Sequence, residues 1–257
     1  MSARSLRAAA ALLVALASIG LGSAQPSGQS APVRALSSNG VRAALEQVVP
    51  QCERTVGRKL DVQFGTSASI KQRIEGGEAI DVAFITSEVV AELAKGGHLA
   101  ASSITPLGRA GIGVGIRIGA RTYDIGTADA IKQALLTASS VTYAQDGASR
   151  VHIESMFEKL GIAQQMKAKT MLEQGSTRAA AKVVDGEAEL LLTLVSEILP
   201  VADMDLLGPL PKEFQSYISF DAAVGAHPAD LAAARAFVAC VASPQGASVF
   251  AEKGIER

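Results

Sequence analysis

The chain has 257 residues, 48% of them hydrophobic and 19% charged, with a formal net charge of −1, so it has the length and apolar content for a packed core. Two cysteines exclude a disulfide-scaffolded miniature fold, and with only three scattered histidines they form no zinc-type ligand set, so neither metal nor cofactor is expected. The near-neutral balance gives no reason to expect nucleic acid or an anionic membrane as a partner.

Met1 to Ala24 (1–24) reads as a cleaved export signal. Arg4 and Arg7 precede an apolar run from Ala8 to Leu21, and Gly22-Ser23-Ala24 supplies the small residues of a peptidase site. That run is 14 residues long, where a membrane-spanning helix needs about 20. Cleavage removes two of the 24 basic residues and none of the 25 acidic ones, leaving a net charge of about −3. A soluble protein of the periplasm is expected, with Cys52 and Cys240 free to form one long-range bridge or to stay reduced on apolar helix faces.

Gln25 to Ala31 (25–31) is a polar tether. Val41 to Val56 carries apolar residues at helical spacing and stops at Gly57; Leu60 to Phe64 reads as a strand. Ile70 to Glu75 is helical, Ile80 to Ile85 is a buried strand, and Glu88 to Lys95 is a helix closed by Gly96-Gly97. A second α/β unit follows Pro106, with strands predicted at Gly111 to Ile118, Val141 to Ala144, Ala168 to Thr170 and Leu190 to Thr193. Its helices are predicted at Ala128 to Ala138, Val151 to Leu160 and Arg178 to Val184. Strands at Leu206 to Pro211 and Tyr217 to Val224 precede two closing helices, Pro228 to Val241 and Pro244 to Lys253. This alternation predicts an α/β fold with mainly parallel sheets flanked by helices.

Open α/β sheets bind ligands at the carboxyl ends of their strands, and four strand-to-helix turns there share a composition. They are Ser37-Ser38-Asn39-Gly40, Gly65-Thr66-Ser67-Ala68-Ser69, Gly147-Ala148-Ser149-Arg150 and Gly175-Ser176-Thr177-Arg178. Each joins glycine to hydroxyls or an amide at a helix N-terminus, a combination suited to a small anion and equally suited to ordinary capping. Arg150 and Arg178 stand in first helical turns, where the dipole disfavours a cation; they invite an anionic ligand, pair with a neighbour such as Asp146 or Glu154, or stand solvated. His152 is a further pocket candidate or a surface residue. The glycines of Gly111 to Gly115 lack the third glycine of a dinucleotide loop, and no serine, histidine and acid set exists at a recognisable spacing. The sequence therefore predicts a protein without catalytic residues.

The segment Gly65-Thr66-Ser67-Ala68-Ser69-Ile70-Lys71-Gln72-Arg73-Ile74-Glu75-Gly76-Gly77, followed by Ile80-Asp81-Val82-Ala83-Phe84, resembles the molybdate-binding-like periplasmic solute receptors of ABC transporters. The resemblance runs from about Pro32 to the C-terminus, through Glu158-Lys159-Leu160-Gly161 and Ser243-Pro244-Gln245-Gly246. It implies a two-lobe type II periplasmic-binding-protein fold with a ligand cleft between lobes that close by a hinge. The implied lobes are 32–107 with 217–257, and 108–216. It places Ser38, Asn39, Gly40 and Ser67 on the ligand in the first lobe and Ser149 in the second, to which the turn composition adds Arg150, Ser176, Thr177 and Arg178. Leu194, ahead of Ser196-Glu197, stands where the family pattern has a ligand-facing tyrosine, and Arg150 where it has a small residue. Both departures favour a carboxylate beside the molybdate or tungstate kind of oxyanion.

The expected function is that of a monomeric periplasmic receptor that binds a small anion and delivers it to a membrane permease. The alternatives are a receptor feeding a sensor protein and, against the missing catalytic set, a secreted enzyme.

Overall fold

The computed structural model describes residues 31–257; the expected export signal and all but the last residue of the expected tether lie outside the described residues. The first stretch alternates β1 (Val33–Ser38), a 3-10 turn (Asn39–Val41), α1 (Arg42–Val56), β2 (Leu60–Gly65), α2 (Ser67–Glu75), β3 (Val82–Thr86) and α3 (Ser87–Lys95). In α1 the buried Ala44, Leu45, Val48 and Cys52 form one face, and the helix stops at Gly57, whose positive φ of 72° directs its N–H back to the Glu53 carbonyl. Next come β4 (Thr105–Arg117), α4 (Ala128–Thr137), β5 (Val141–Ala144), α5 (Arg150–Lys159), α6 (Ala163–Lys167), β6 (Thr170–Glu173) and α7 (Ser176–Val184). The chain closes with β7 (Leu190–Leu194), α8 (Val195–Ile198), β8 (Met204–Pro209), β9 (Tyr217–Val224), α9 (Leu231–Val241) and α10 (Pro244–Glu252).

The strands run in the order β2-β1-β3-β9-β4-β7-β5-β6, with β8 also on β4. Parallel pairs hold each end: β1 lies between β2 and β3, and β5 between β6 and β7. The middle is antiparallel, because β9 runs against β3 and β4, and β4 against β7 and β8. The sheet is thus mixed where alternation predicted mainly parallel pairing. The cause is β4 and β9, which carry the chain from one side to the other and back and therefore run in opposite directions. Thr105 to Gly111 of β4 pairs with β9, and Ile112 to Arg117 pairs with β7 and β8, so one strand serves both lobes. Its irregularity at Pro106/Gly108 needs a glycine: Gly108 has φ 144°, and a Cβ there would meet the Glu256 carbonyl oxygen at 2.7 Å.

Helix α9 returns to α1. Phe237 packs edge-on against Phe84 with ring centroids 5.0 Å apart, and Cys240 is disulfide-bonded to the fully buried Cys52 across a separation of 188 residues. The bridge left open by the sequence is formed; Cys240 itself is only partly buried. Closing so long a loop stabilises the fold by about 2–4 kcal/mol. Among the described residues no helix is long and apolar enough to cross a membrane.

Candidate functional site

Each of the four polar turns begins where a strand ends, so the sheet order brings their helix starts together. Ser38 ends β1 and Asn39 follows it, Thr66 and Ser67 open α2, Gly147 to Ser149 precede α5, and Ser176 opens α7; all line one small cavity closed by Leu194, Glu197 and Phe220. The cavity measures about 20 Å³, the room of about one water. No lysine or arginine lines it, so an anion there would rest on hydroxyls, backbone N–H groups and the partial positive charge of helix starts.

Several of these hydroxyls are already engaged. Ser38 Oγ accepts from the Gly40 N–H at 3.2 Å, Thr66 Oγ1 caps α2 by accepting from the Ser69 N–H at 3.2 Å, and Ser67 Oγ accepts from the Thr86 N–H at 3.1 Å. Ser149 differs, being buried at the N-cap of α5 with no capping bond from its side chain. Asp146 ties three turns together: its Oδ1 accepts from the Gly175 N–H at 2.9 Å and its Oδ2 from Thr66 Oγ1 at 3.0 Å. Gly175, with φ 78°, brings its N–H to that carboxylate in a conformation glycine adopts without strain.

Glu197 is the one acid on the cavity wall. Ser176 Oγ donates to its Oε1 at 2.7 Å and Thr193 Oγ1 is hydrogen-bonded to its Oε2. Burial of the carboxyl pushes its pKa above the ordinary value of 4.5, and the hydrogen bonds from Thr193, Ser176 and the Leu194 backbone only partly offset this. A carboxyl of this kind keeps its proton at a pH where a solvated one has lost it, and is a stronger base once ionised.

Of the residues singled out from the sequence, Ser38, Asn39, Ser67, Ser149 and Ser176 meet at this cavity. Gly40 lies behind its wall; a Cβ there would fall 2.4 Å from Phe220 Cζ, so the glycine is what lets Phe220 approach. Arg150 turns away: Nε donates to Glu154 Oε1 and a terminal nitrogen to the Gln145 carbonyl, both at 2.8 Å. It lines an outer pocket of about 350 Å³, so its partner is the acid one helical turn on and not a ligand in the cavity. Arg178 is exposed and lines neither the cavity nor its neighbours.

Two larger cavities flank the small one. One of about 500 Å³ shares Asn39, Ser176 and Glu197 with it and holds Thr177; the other, of about 530 Å³, shares Ser67, Gly147 and Ala148 and includes Asp146 and His152. Sequence reasoning missed Thr66, Asp146, Glu197 and Phe220. The available signal for Glu197 was an acid three residues after the buried run Leu190 to Leu194, beside the core, where an unpaired charge is costly.

Residues 33–256 match the family model of the bacterial extracellular solute-binding proteins. An aconitate isomerase of a Pseudomonas species is 31% identical over 247 residues, covering 94% of this chain and 92% of that protein. Among solved structures, the periplasmic molybdate-binding protein of Azotobacter vinelandii matches with a TM-score of 0.75 at 16% identity, over 88% of this chain and 99% of that one. The sulfate-binding protein of Mycobacterium tuberculosis matches with a TM-score of 0.68 at 18% identity, over 88% of this chain and 86% of that one. The two-lobe type II periplasmic fold expected from the resemblance is the fold found. The expectation of a protein without enzymatic activity is overturned by the isomerase, a relative matched along nearly its whole length.

Proposed function

The chain belongs to the bacterial extracellular solute-binding proteins, periplasmic receptors that take up a small ligand for an ABC-type permease, and from that premise we propose that its cleft binds and isomerises an unsaturated polycarboxylate of the aconitate kind. The observation that carries this reading is Glu197, a half-buried acid on the wall of a cavity built from helix starts, whose carboxyl is desolvated and raised in pKa. Interconverting the geometric isomers of aconitate requires removing a proton from the CH₂ group beside a carboxylate. The negative charge then spreads over the allylic carbons and carboxylate, and a proton returns at the carbon that had carried the double bond. One carboxyl that accepts the first proton and supplies the second is sufficient, with no metal, nucleophile or redox partner. Ionised Glu197 is the base; the hydroxyl of Ser149 and the starts of α2, α5 and α7 stabilise the developing charge. Helix starts alone would also hold an oxyanion, but that reading leaves Glu197 without a role. The relative's activity favours the carboxylate.

The test is to incubate the purified protein with cis-aconitate and follow the trans isomer by proton NMR, with thermal shifts recorded for aconitate and molybdate in parallel. Conversion above the uncatalysed rate with stabilisation by aconitate is expected. Stabilisation by molybdate alone, without conversion, would return the site to the oxyanion class.

A further inference from the structure

The small cavity has room for about one water, whereas a tricarboxylate is several times larger, so the cleft must extend into a neighbouring space to hold one. Two neighbours are available, and one of them alone carries an arginine. The 530 Å³ cavity carries Glu88 and Asp146 with no lysine or arginine. The 500 Å³ cavity carries Arg42, and it shares Glu197 and Ser176 with the small cavity. Resting on the isomerase reading above, we propose that this second cavity is a carboxylate subsite in which Arg42 holds the distal carboxylate of the substrate while the reacting end lies at Glu197.

Arg42 is suited to the task. Its Nε donates to Glu46 Oε1 at 2.8 Å, and its terminal nitrogens make no hydrogen bond among the described residues, which leaves donors free for a carboxylate. The guanidinium carbon sits 4.7 Å from the centre of the Phe64 ring, so the group is held in place before a ligand arrives. A second observation lies in the same wall. Ser196 Oγ is the one buried side-chain polar atom among the described residues without a hydrogen-bond partner, and such a group calls for an occupant. Glu46 and Asp185 also line the cavity, so without Arg42 it would repel a carboxylate. The whole preference for a distal carboxylate therefore turns on one side chain, which makes Arg42 a specificity residue separate from the proton-transfer step.

The experiment compares the parent, Arg42→Ala, Arg42→Lys and Ala181→Trp by calorimetric titration with trans-aconitate, which has three carboxylates, and by competition with crotonate, which has one. Arg42→Ala is expected to weaken trans-aconitate roughly tenfold to a hundredfold and leave crotonate unchanged, with Arg42→Lys between it and the parent. Ala181→Trp, which fills the subsite from its rim without touching the small cavity, should weaken trans-aconitate alone. Unchanged trans-aconitate affinity in Arg42→Ala overturns the subsite while leaving the isomerase reading in place, and so does an equal loss for both acids. A parent protein that binds neither acid overturns the isomerase reading, and the subsite falls with it.

Discussion

The two sides of the cleft use similar side chains differently. On the side built from β1, β2 and their helix starts, the hydroxyls of Ser38, Thr66 and Ser67 accept from backbone N–H groups of their own side, so each is fixed before any ligand arrives. On the side built from β5, β6 and β7, Ser149 makes no capping bond, Ser176 donates to Glu197, and Asp146 reaches across to Thr66. The first side is a preformed cradle, and the second carries Glu197, to which the proposed proton transfer is assigned, and Asp146, which bonds across the cleft. Preformed donors suit binding, whereas a group with an uncommitted hydroxyl or a shifted pKa suits chemistry.

The largest expected effect on folding stability breaks the cradle. Ser67→Ala leaves the buried Thr86 N–H without its acceptor and should cost about 1–3 kcal/mol of folding stability, measured by urea denaturation, with ligand affinity falling at the same time. A stability loss without any binding loss would show that this turn serves only the fold. Asp146→Ala removes the bond across the cleft and should act on closure more than on folding. An affinity loss of about fivefold to tenfold is expected, about 1 kcal/mol, together with a larger radius of gyration by small-angle scattering in the presence of ligand. An unchanged closed population would make Asp146 a brace within its own lobe. The smallest effect sharpens the contrast from outside the cleft: Arg150→Ala loses a half-exposed pair with Glu154 and should change stability by about 0.3–0.5 kcal/mol and ligand affinity not at all. Any tenfold loss of binding in that variant would bring Arg150 back to the ligand.

Much of this was legible in the sequence where the pattern is local. The bounds of β5 and β9 coincide with the apolar runs that predict them, and α1 differs by one residue from its periodic stretch, because burial on one face writes itself into residue spacing. The convergence of Ser38, Ser67, Ser149 and Ser176 was legible because turn composition marks the carboxyl ends of strands. The short α6 and α8 were not. Five and four residues are too few to show a helical period in the sequence. Pairing direction was hidden as well, since the length of β4 and its change of partner at Gly111 depend on β9, about a hundred residues later. The arginines misled for an instructive reason: a cation in a first helical turn signals a partner, and for Arg150 that partner is Glu154, four residues on. Glu197 was overlooked because single-carboxyl proton transfer has no spacing motif; its environment comes from Thr193 and Ser176, which only the fold assembles beside it.

The central claim is that Glu197 carries the proton. The most direct measurement is proton NMR of cis-aconitate conversion by Glu197→Gln beside the parent, with calorimetric affinity for aconitate measured on both. Gln keeps the shape, accepts from one of the Ser176 and Thr193 hydroxyls and donates to the other, but cannot take up a proton, so conversion should fall by about a hundredfold to ten-thousandfold while affinity stays within a few-fold. Conversion at the parent's rate in Glu197→Gln, with binding intact, would contradict the account.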